Sequence, residues 1–304
     1  FPMVVRSSSP DLGRMRSLRM NRREFGRAAV AGAIASLIKA ETAQGQTPRS
    51  GDSINEHQDG MAKYADLMGG EKLTLGLVAY PGMFLQDMVG PLTVFEALMN
   101  RDIHIIWKDK KPVSTGSLIS ITPTTTLAET PKDLDVLFLP GGMPGTTDMM
   151  KDREILDFLA EKAKTAKYVT SVCTGSLILG AAGLLRGYKA ASHWATLDVL
   201  REFGAIPSDE RVVEDRNRIT GGGVTAGIDF GLALVAKLRS KTYAEAIQLY
   251  VEYNPHPPFN AGSPKTASPE VNKFIGGMLT PLADEARRVA KEYQNPAQNR
   301  RNRK

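Results

Sequence analysis

The chain has 304 residues, 42% hydrophobic and 24% charged, which is the range of an ordinary globular protein with a sizeable core and excludes a fibrous or wholly disordered polymer. Its net charge of +6 is confined to the N-terminus: nine of the 39 basic and three of the 33 acidic residues fall in positions 1–50, leaving 30 of each in the remainder. A body without basic excess argues against a nucleic-acid partner, and a single cysteine, Cys173, rules out an intramolecular disulfide or a Cys-based zinc site.

In chain order, the first feature is "MNRREFGRAAVAGAIASLIKAETAQGQ", where Arg22 and Arg23 precede a mild apolar run from Ala28 to Ile38. That run is too short to cross a bilayer, which takes about 20 apolar residues, so no stable membrane anchor is expected. Residues 1–43 instead resemble a twin-arginine signal. Such a leader would engage the twin-arginine export machinery and carry the protein to the periplasm or beyond. Glu41-Thr42-Ala43 is a poor cleavage match and Met3, Met15 and Met20 are all possible starts; a leader that does not function would leave the protein cytoplasmic. Residues 44–70 are polar and glycine-rich without sustained period and read as a flexible linker.

From residue 71 short β-branched runs alternate with helical patterns. Leu73–Tyr80 reads as a strand, "GPLTVFEALM" as a helix starting near Pro91, and Ile103–Asp109 as a strand. A Thr-rich segment with short hairpin strands leads to "DVLFLPGG", a continuous apolar strand (Asp135–Gly142) ending in glycines. "REILDFLAEKAK" is a helix, "YVTSV" a strand and "TGSLILGAAGLL" a helix. "ATLDVLREFG" then reads as a helix and "RVVEDRNRITGGG" as a hairpin, with "AGIDFGLALVAKLR" and "YAEAIQLYVEY" as two more helices. A proline-rich break follows, and residues 269–304 hold a last helix and a basic tail. Buried strands alternating with amphipathic helices predict a parallel sheet covered on both faces, an α/β three-layer sandwich. Ligands of such sheets bind beyond the carboxyl ends of the strands where the strand order reverses. The loop after Tyr80, the glycines Gly141 and Gly142, and Cys173 are expected to meet there.

Cys173 falls between a strand and the first turn of the next helix, a tight elbow that pushes a side chain out toward the crevice. The amides of Thr174 and Gly175 would point into the same space, and the helix dipole favours an anion there, so a lowered thiol pKa and a nucleophilic thiolate are expected. The competing assignment is a small buried hydrophobe, the usual state of a free cysteine. Asp87 has two readings: a helix cap or a catalytic carboxylate, the former weakened because Asp87 stands several residues ahead of Pro91. His193, 20 residues past Cys173, is either a partner of the thiolate or a hydrogen-bonded structural residue. The four histidines show no metal-ligand spacing. "TGGGVTAG" lacks a dinucleotide or phosphate-loop register and is better explained by close packing of a helix on the sheet.

The segments "YPGMFLQDMVGPLTVFE", "DVLFLPGGMPG", "TSVCTGSLILGAAGLLRG", "SHWATLDVLREFGA", "ERVVEDRNRITGGGVTAGIDFGLAL" and "PPFNAGSP" together resemble the DJ-1/PfpI superfamily, and within it the isonitrile hydratase branch. The resemblance runs over roughly residues 72–268, within a catalytic domain drawn at 71–268. It implies a flavodoxin-like sandwich with a mostly parallel sheet, usually homodimeric, a reactive cysteine at the elbow, and an aspartate just before Gly-Pro. Asp87 matches that aspartate and Thr174 the threonine after the branch's cysteine. One departure is Gln86, where relatives carry an apolar residue.

The implied chemistry is addition of water to an isonitrile to give an N-substituted formamide, a hydro-lyase reaction without cofactor or metal on a small-molecule substrate. Cys173 would attack the isonitrile carbon and Asp87 would move the proton. Thr174, with the Gly142, Met143 and Gly175 amides and His193 nearby, would bind the substrate and developing charge. The alternatives are a glyoxalase- or deglycase-like enzyme acting on α-oxoaldehydes, whose relatives often carry glutamate at the position of Asp87, and a non-catalytic ligand-binding or chaperone-like protein. A DNA-binding regulator is disfavoured, since one helical segment after Gly262 is too little for two helix-turn-helix units.

Overall fold

The computed structural model describes residues 69–294. The expected leader, nearly all of the linker and the basic tail lie outside them. The chain separates into residues 1–61 and 62–304, and the described residues belong to the second unit.

Seven strands form the main sheet: β1 (Leu73–Val78), β2 (Arg101–Trp107), β5 (Thr125–Thr126), β6 (Val136–Leu139), β7 (Tyr168–Val172), β10 (Val212–Asp215) and β11 (Arg218–Gly221). Their order is β10-β11-β7-β6-β1-β2-β5. Every neighbouring pair is parallel except the β10–β11 hairpin. β6 reads as an unbroken apolar run because it is covered from both sides, and all four of its residues are buried; β7 carries Thr170 and Ser171 in its buried interior. Two short pairs stand apart, β3 (Val113–Ser114) with β4 (Ser120–Ile121), and β8 (Lys189–Ala190) with β9 (Ile206–Pro207).

The helices divide into two sets. One joins α1 (Leu85–Glu96), α5 (Ala226–Leu238) and α6 (Lys241–Tyr250). The other joins α2 (Gly145–Met149), α3 (Arg153–Lys162), α4 (Gly175–Ala181), a 3₁₀ helix (Trp194–Phe203) and α7 (Pro269–Gln294). The sheet between them completes a flavodoxin-like α/β sandwich, as the sequence pattern leads one to expect. Phe95 of α1, Phe138 of β6 and Phe230 of α5 meet with ring centroids 5.6–6.4 Å apart and tie the first set to the sheet. Each contributes about 1.5–3 kcal/mol through burial.

Five elements differ from the sequence pattern. Helix α1 begins at Leu85, so Pro91 sits inside it and Asp87 in its first turn. The "ATLDVLREFG" stretch is a 3₁₀ helix, begun by His193 and ended by Gly204 in the left-handed region. Helix α2 and the β8–β9 pair are too short to leave a periodic signal.

Strand order fixes where a site can form. From β1 the chain goes to β2 on one side, then returns to β6 and proceeds to β7 and β11 on the other. The switch point therefore lies between the carboxyl ends of β1 and β6. The loop leaving β1 carries Tyr80 and leads into the first turn of α1, where Asp87 stands, and the loop leaving β6 carries Gly141 and Gly142. Cys173 follows the next strand, β7.

Candidate active site

Cys173 occupies the elbow with φ of +58°, a left-handed conformation that an L side chain adopts at a cost of about 1–3 kcal/mol. Its backbone is held on both sides. The Cys173 N–H donates to the Gly221 and Gly222 carbonyls at 3.1 and 2.7 Å, and the Cys173 carbonyl accepts from Ser192 Oγ at 3.1 Å. The turn after β11 thus clamps the turn after β7.

Asp87 reaches the same point from α1. Its Oδ2 accepts the Gly141 N–H at 2.9 Å across the switch point, and its carboxyl lies in hydrogen-bonding reach of the Cys173 thiol. Oδ1 is buried with no nitrogen or oxygen partner. The side chain is fully buried, and that desolvation lifts its pKa to about 6 against the opposing pull of the thiol and the Gly141 amide. Although it stands in the first turn of α1, Asp87 directs its carboxyl to a loop 54 residues away. The sequence placed it ahead of the helix because Pro91 reads as a helix start. Phe84, which caps the helix in fact, offers no side-chain cap to reveal the true one.

The thiol differs from expectation in electrostatics. Burial and, next, the negative charge of Asp87 raise the Cys173 pKa well above its ordinary value; the amides of Thr174 and Val224 aim at the sulfur and pull the other way without prevailing. A helix dipole alone would lower it, but the dipole is opposed by a carboxylate that only the tertiary structure brings near. With both pKa values raised, the pair at neutral pH holds one proton on the sulfur, donated toward the carboxylate. Arranged this way, Asp87 can take that proton when an electrophile arrives, and then return it.

The other expected residues divide. Thr174 stands at the start of α4 with its amide toward the sulfur, while its Oγ1 accepts the Gly142 N–H at 2.8 Å and lies 2.7 Å from Thr146 Oγ1. The Gly142 amide is therefore spent on a hydroxyl and does not face a substrate oxygen. Met143 follows it, half-buried. Gly175 is a packing residue: an added methyl would stand 2.5 Å from the Leu139 carbonyl and 2.6 Å from that of Pro140. His193 caps its own 3₁₀ helix through Nδ1, which accepts the Ala195 N–H at 3.3 Å. Its ring lies against Gly223 and Trp194, and burial lowers its pKa. Its neighbour Ser192 holds the Cys173 carbonyl, so the chain brings His193 within one residue of a group that touches the elbow.

Val224 is the residue the sequence reading passed over. "TGGGVTAG" ends in a close contact of helix on helix rather than helix on sheet: a methyl on Gly227 would press on Pro91 of α1, as one on Gly231, further along α5, would press on Val94. It also delivers the Val224 amide to the sulfur. Gln86, the departure from the family pattern, folds its amide back over Gly90 of its own helix.

Among the described residues no group of three His, Cys, Asp or Glu is placed to hold a metal ion, and no helix is long and apolar enough to cross a membrane.

Comparison with known proteins places this arrangement. Residues 75–237 match the model of the DJ-1/PfpI family. Over 195 residues, 64% of this chain and 85% of the relative, the sequence is 48% identical to the isonitrile hydratase of Pseudomonas putida. A crystal structure of a ThiJ/PfpI family protein from Pseudomonas syringae is 47% identical, with a TM-score of 0.73 over 82% of this chain and 99% of that one. A more remote likeness, 31% over 168 residues, is to the HTH-type transcriptional regulator GbdR of Pseudomonas aeruginosa, of which the match takes in 45%.

Proposed function

This chain belongs to the DJ-1/PfpI family, and we propose that within it the protein is a hydro-lyase that adds water to an isonitrile, using Cys173 as nucleophile and Asp87 as proton carrier. One observation carries the reading: a buried carboxyl, with one oxygen lacking a hydrogen-bond partner, lies in hydrogen-bonding reach of a buried thiol. The likeness to the P. putida isonitrile hydratase supports the choice of substrate class.

The steps balance without an outside acid or base. As the isonitrile carbon approaches, the Cys173 proton passes to Asp87 and the sulfur bonds to that carbon. Asp87 returns the proton to the carbon, leaving a thioimidate, R–N=CH–S–Cys173. Water then adds to the carbon; Asp87 takes one water proton and passes it to the nitrogen. The carbon–sulfur bond breaks as the remaining hydroxyl becomes the formamide carbonyl, and its proton restores the thiol–carboxylate pair. The Thr174 and Val224 amides hold the negative sulfur each time it forms.

The test is formamide production from a simple alkyl isonitrile, followed by NMR, alongside methylglyoxal. Wild-type protein should release the formamide, and Cys173→Ala should release none while keeping its fold. Turnover of methylglyoxal alone would move the assignment to an α-oxoaldehyde enzyme with the same nucleophile, and undiminished turnover by Cys173→Ala would sink both.

A further inference from the structure

Behind the Cys173–Asp87 pair runs a line of buried hydroxyls that the steps above leave idle. The Tyr80 hydroxyl donates to the Pro140 carbonyl at 2.9 Å, which commits its one proton. Its oxygen lies 3.3 Å from Thr146 Oγ1, and Thr146 Oγ1 lies 2.7 Å from Thr174 Oγ1. Thr174 Oγ1 also accepts the Gly142 N–H. All three side chains are buried.

A hydroxyl has one proton and two lone pairs, so these contacts admit two arrangements. In the first, Thr174 donates to Thr146 and Thr146 donates to Tyr80; Thr174 then has only a lone pair left for the cleft. In the second, Thr146 donates to Thr174. The two lone pairs of Thr174 are then filled, by Thr146 and by Gly142, and its own proton turns to the cleft. The space it turns to borders Asp87, because a methyl on Gly141 would stand 2.7 Å from Thr174 Oγ1 and 2.9 Å from Asp87 Oδ2.

We propose that Tyr80 and Thr146 are positioning residues: the line of three hydroxyls lets Thr174 face the cleft as a proton donor in one step and as an acceptor in the next. The use of this device rests on the isonitrile-hydrating reading. Charge that builds up as sulfur adds to the isonitrile is met by a donor, whereas the water that attacks the thioimidate is held by an acceptor while Asp87 takes its proton. Tyr80 makes the acceptor arrangement possible, since without it the Thr146 proton has only Thr174 to go to.

The test uses Tyr80→Phe, Thr146→Val, Thr146→Ser and Thr174→Val in the full chain. Tyr80→Phe and Thr146→Val remove the accepting arrangement, so thioimidate should form at the wild-type rate but break down about tenfold more slowly, the scale of one hydrogen bond. The adduct on Cys173 should accumulate to a level visible by mass spectrometry, with Thr146→Ser close to wild type. Added to Thr174→Val, neither change should have further effect. Equal slowing of both half-reactions, or a loss that persists in the Thr174→Val background, would overturn the proposal.

A second readout needs no isonitrile. The titratable groups facing the thiol are Asp87 and Tyr80. Thr174 locked as a donor beside Asp87 should move the pH midpoint of Cys173 alkylation by iodoacetamide downward in Tyr80→Phe, and not in Tyr80→Phe/Thr174→Val. A midpoint that stays put in the single variant, or moves equally in both, counts against the hydroxyl line. Absence of formamide and adduct from wild-type protein would refute the substrate assignment instead, and the alkylation result alone would then decide.

Discussion

Two glycine runs look alike in the sequence, Gly141-Gly142 after β6 and Gly221-Gly222-Gly223 after β11, and both border the cysteine elbow. Their surroundings differ. A methyl on Gly142 would run into the Phe84 amide, and its φ of +134° suits no L side chain; one on Gly141 would stand 2.5 Å from the Thr174 amide nitrogen. In the second run the nearest atoms stand at 3.2 Å or more, and at Gly222 at 3.6 Å. The first run brings a carboxyl, a hydroxyl and two backbones closer than any side chain allows. The second lends carbonyls to the Cys173 N–H and leads into the amide of Val224. A glycine run is thus informative only once it is known what approaches it.

Substitutions should reproduce that contrast. Gly142→Ala combines a forbidden backbone angle with a collision against main chain and should cost about 3–5 kcal/mol in urea unfolding, with no turnover left. The next effect has the opposite sign. Asp87 titrates near 6 in the folded protein against 3.8 as its ordinary value, so the folded state binds more protons and stability falls as pH rises between those values. Asp87→Asn should therefore gain up to about 3 kcal/mol at pH 7 to 8, a gain that disappears below about pH 4, while formamide production is lost. Unfolding curves at pH 4 and 7.5 would measure both. Gly141→Ala should cost about 1–3 kcal/mol and abolish activity, its methyl standing between Thr174 and Asp87. Gly222→Ala should stay within about 0.5 kcal/mol and retain turnover; a large loss there would erase the distinction between the two runs.

Much of this architecture was open to reading in the residues. β6 announces itself as a short apolar run ended by glycines and β7 as a short run of Tyr, Val and Thr ended by Cys173, and parallel packing follows from the helices between them. The elbow was legible because strand, cysteine and helix are adjacent in the chain. What escaped depends on groups far apart in it. Packing of the helices on the sheet buries the thiol and brings the Asp87 carboxylate beside it, and these two effects, burial first, reverse the direction in which a helix N-terminus alone would shift the cysteine. Helix α1 begins without a capping side chain, so Gly90 and Pro91 drew the boundary six residues too late. The 3₁₀ helix shares its apolar spacing with an α-helix of the same length, and its hydrogen bonds are not written in that spacing. Val224 contributes a backbone N–H, which any residue type would supply, so composition holds no trace of it.

The shared proton of Cys173 and Asp87 has one more consequence. Between pH 6 and the raised pKa of the thiol, the pair carries a single negative charge whichever of its members holds the proton. Passing the proton from sulfur to carboxylate therefore moves charge by the length of one hydrogen bond and changes the total not at all. A site whose charge stays fixed in this way should repel anions equally at every stage, and iodoacetate should label Cys173 more slowly than iodoacetamide for that reason.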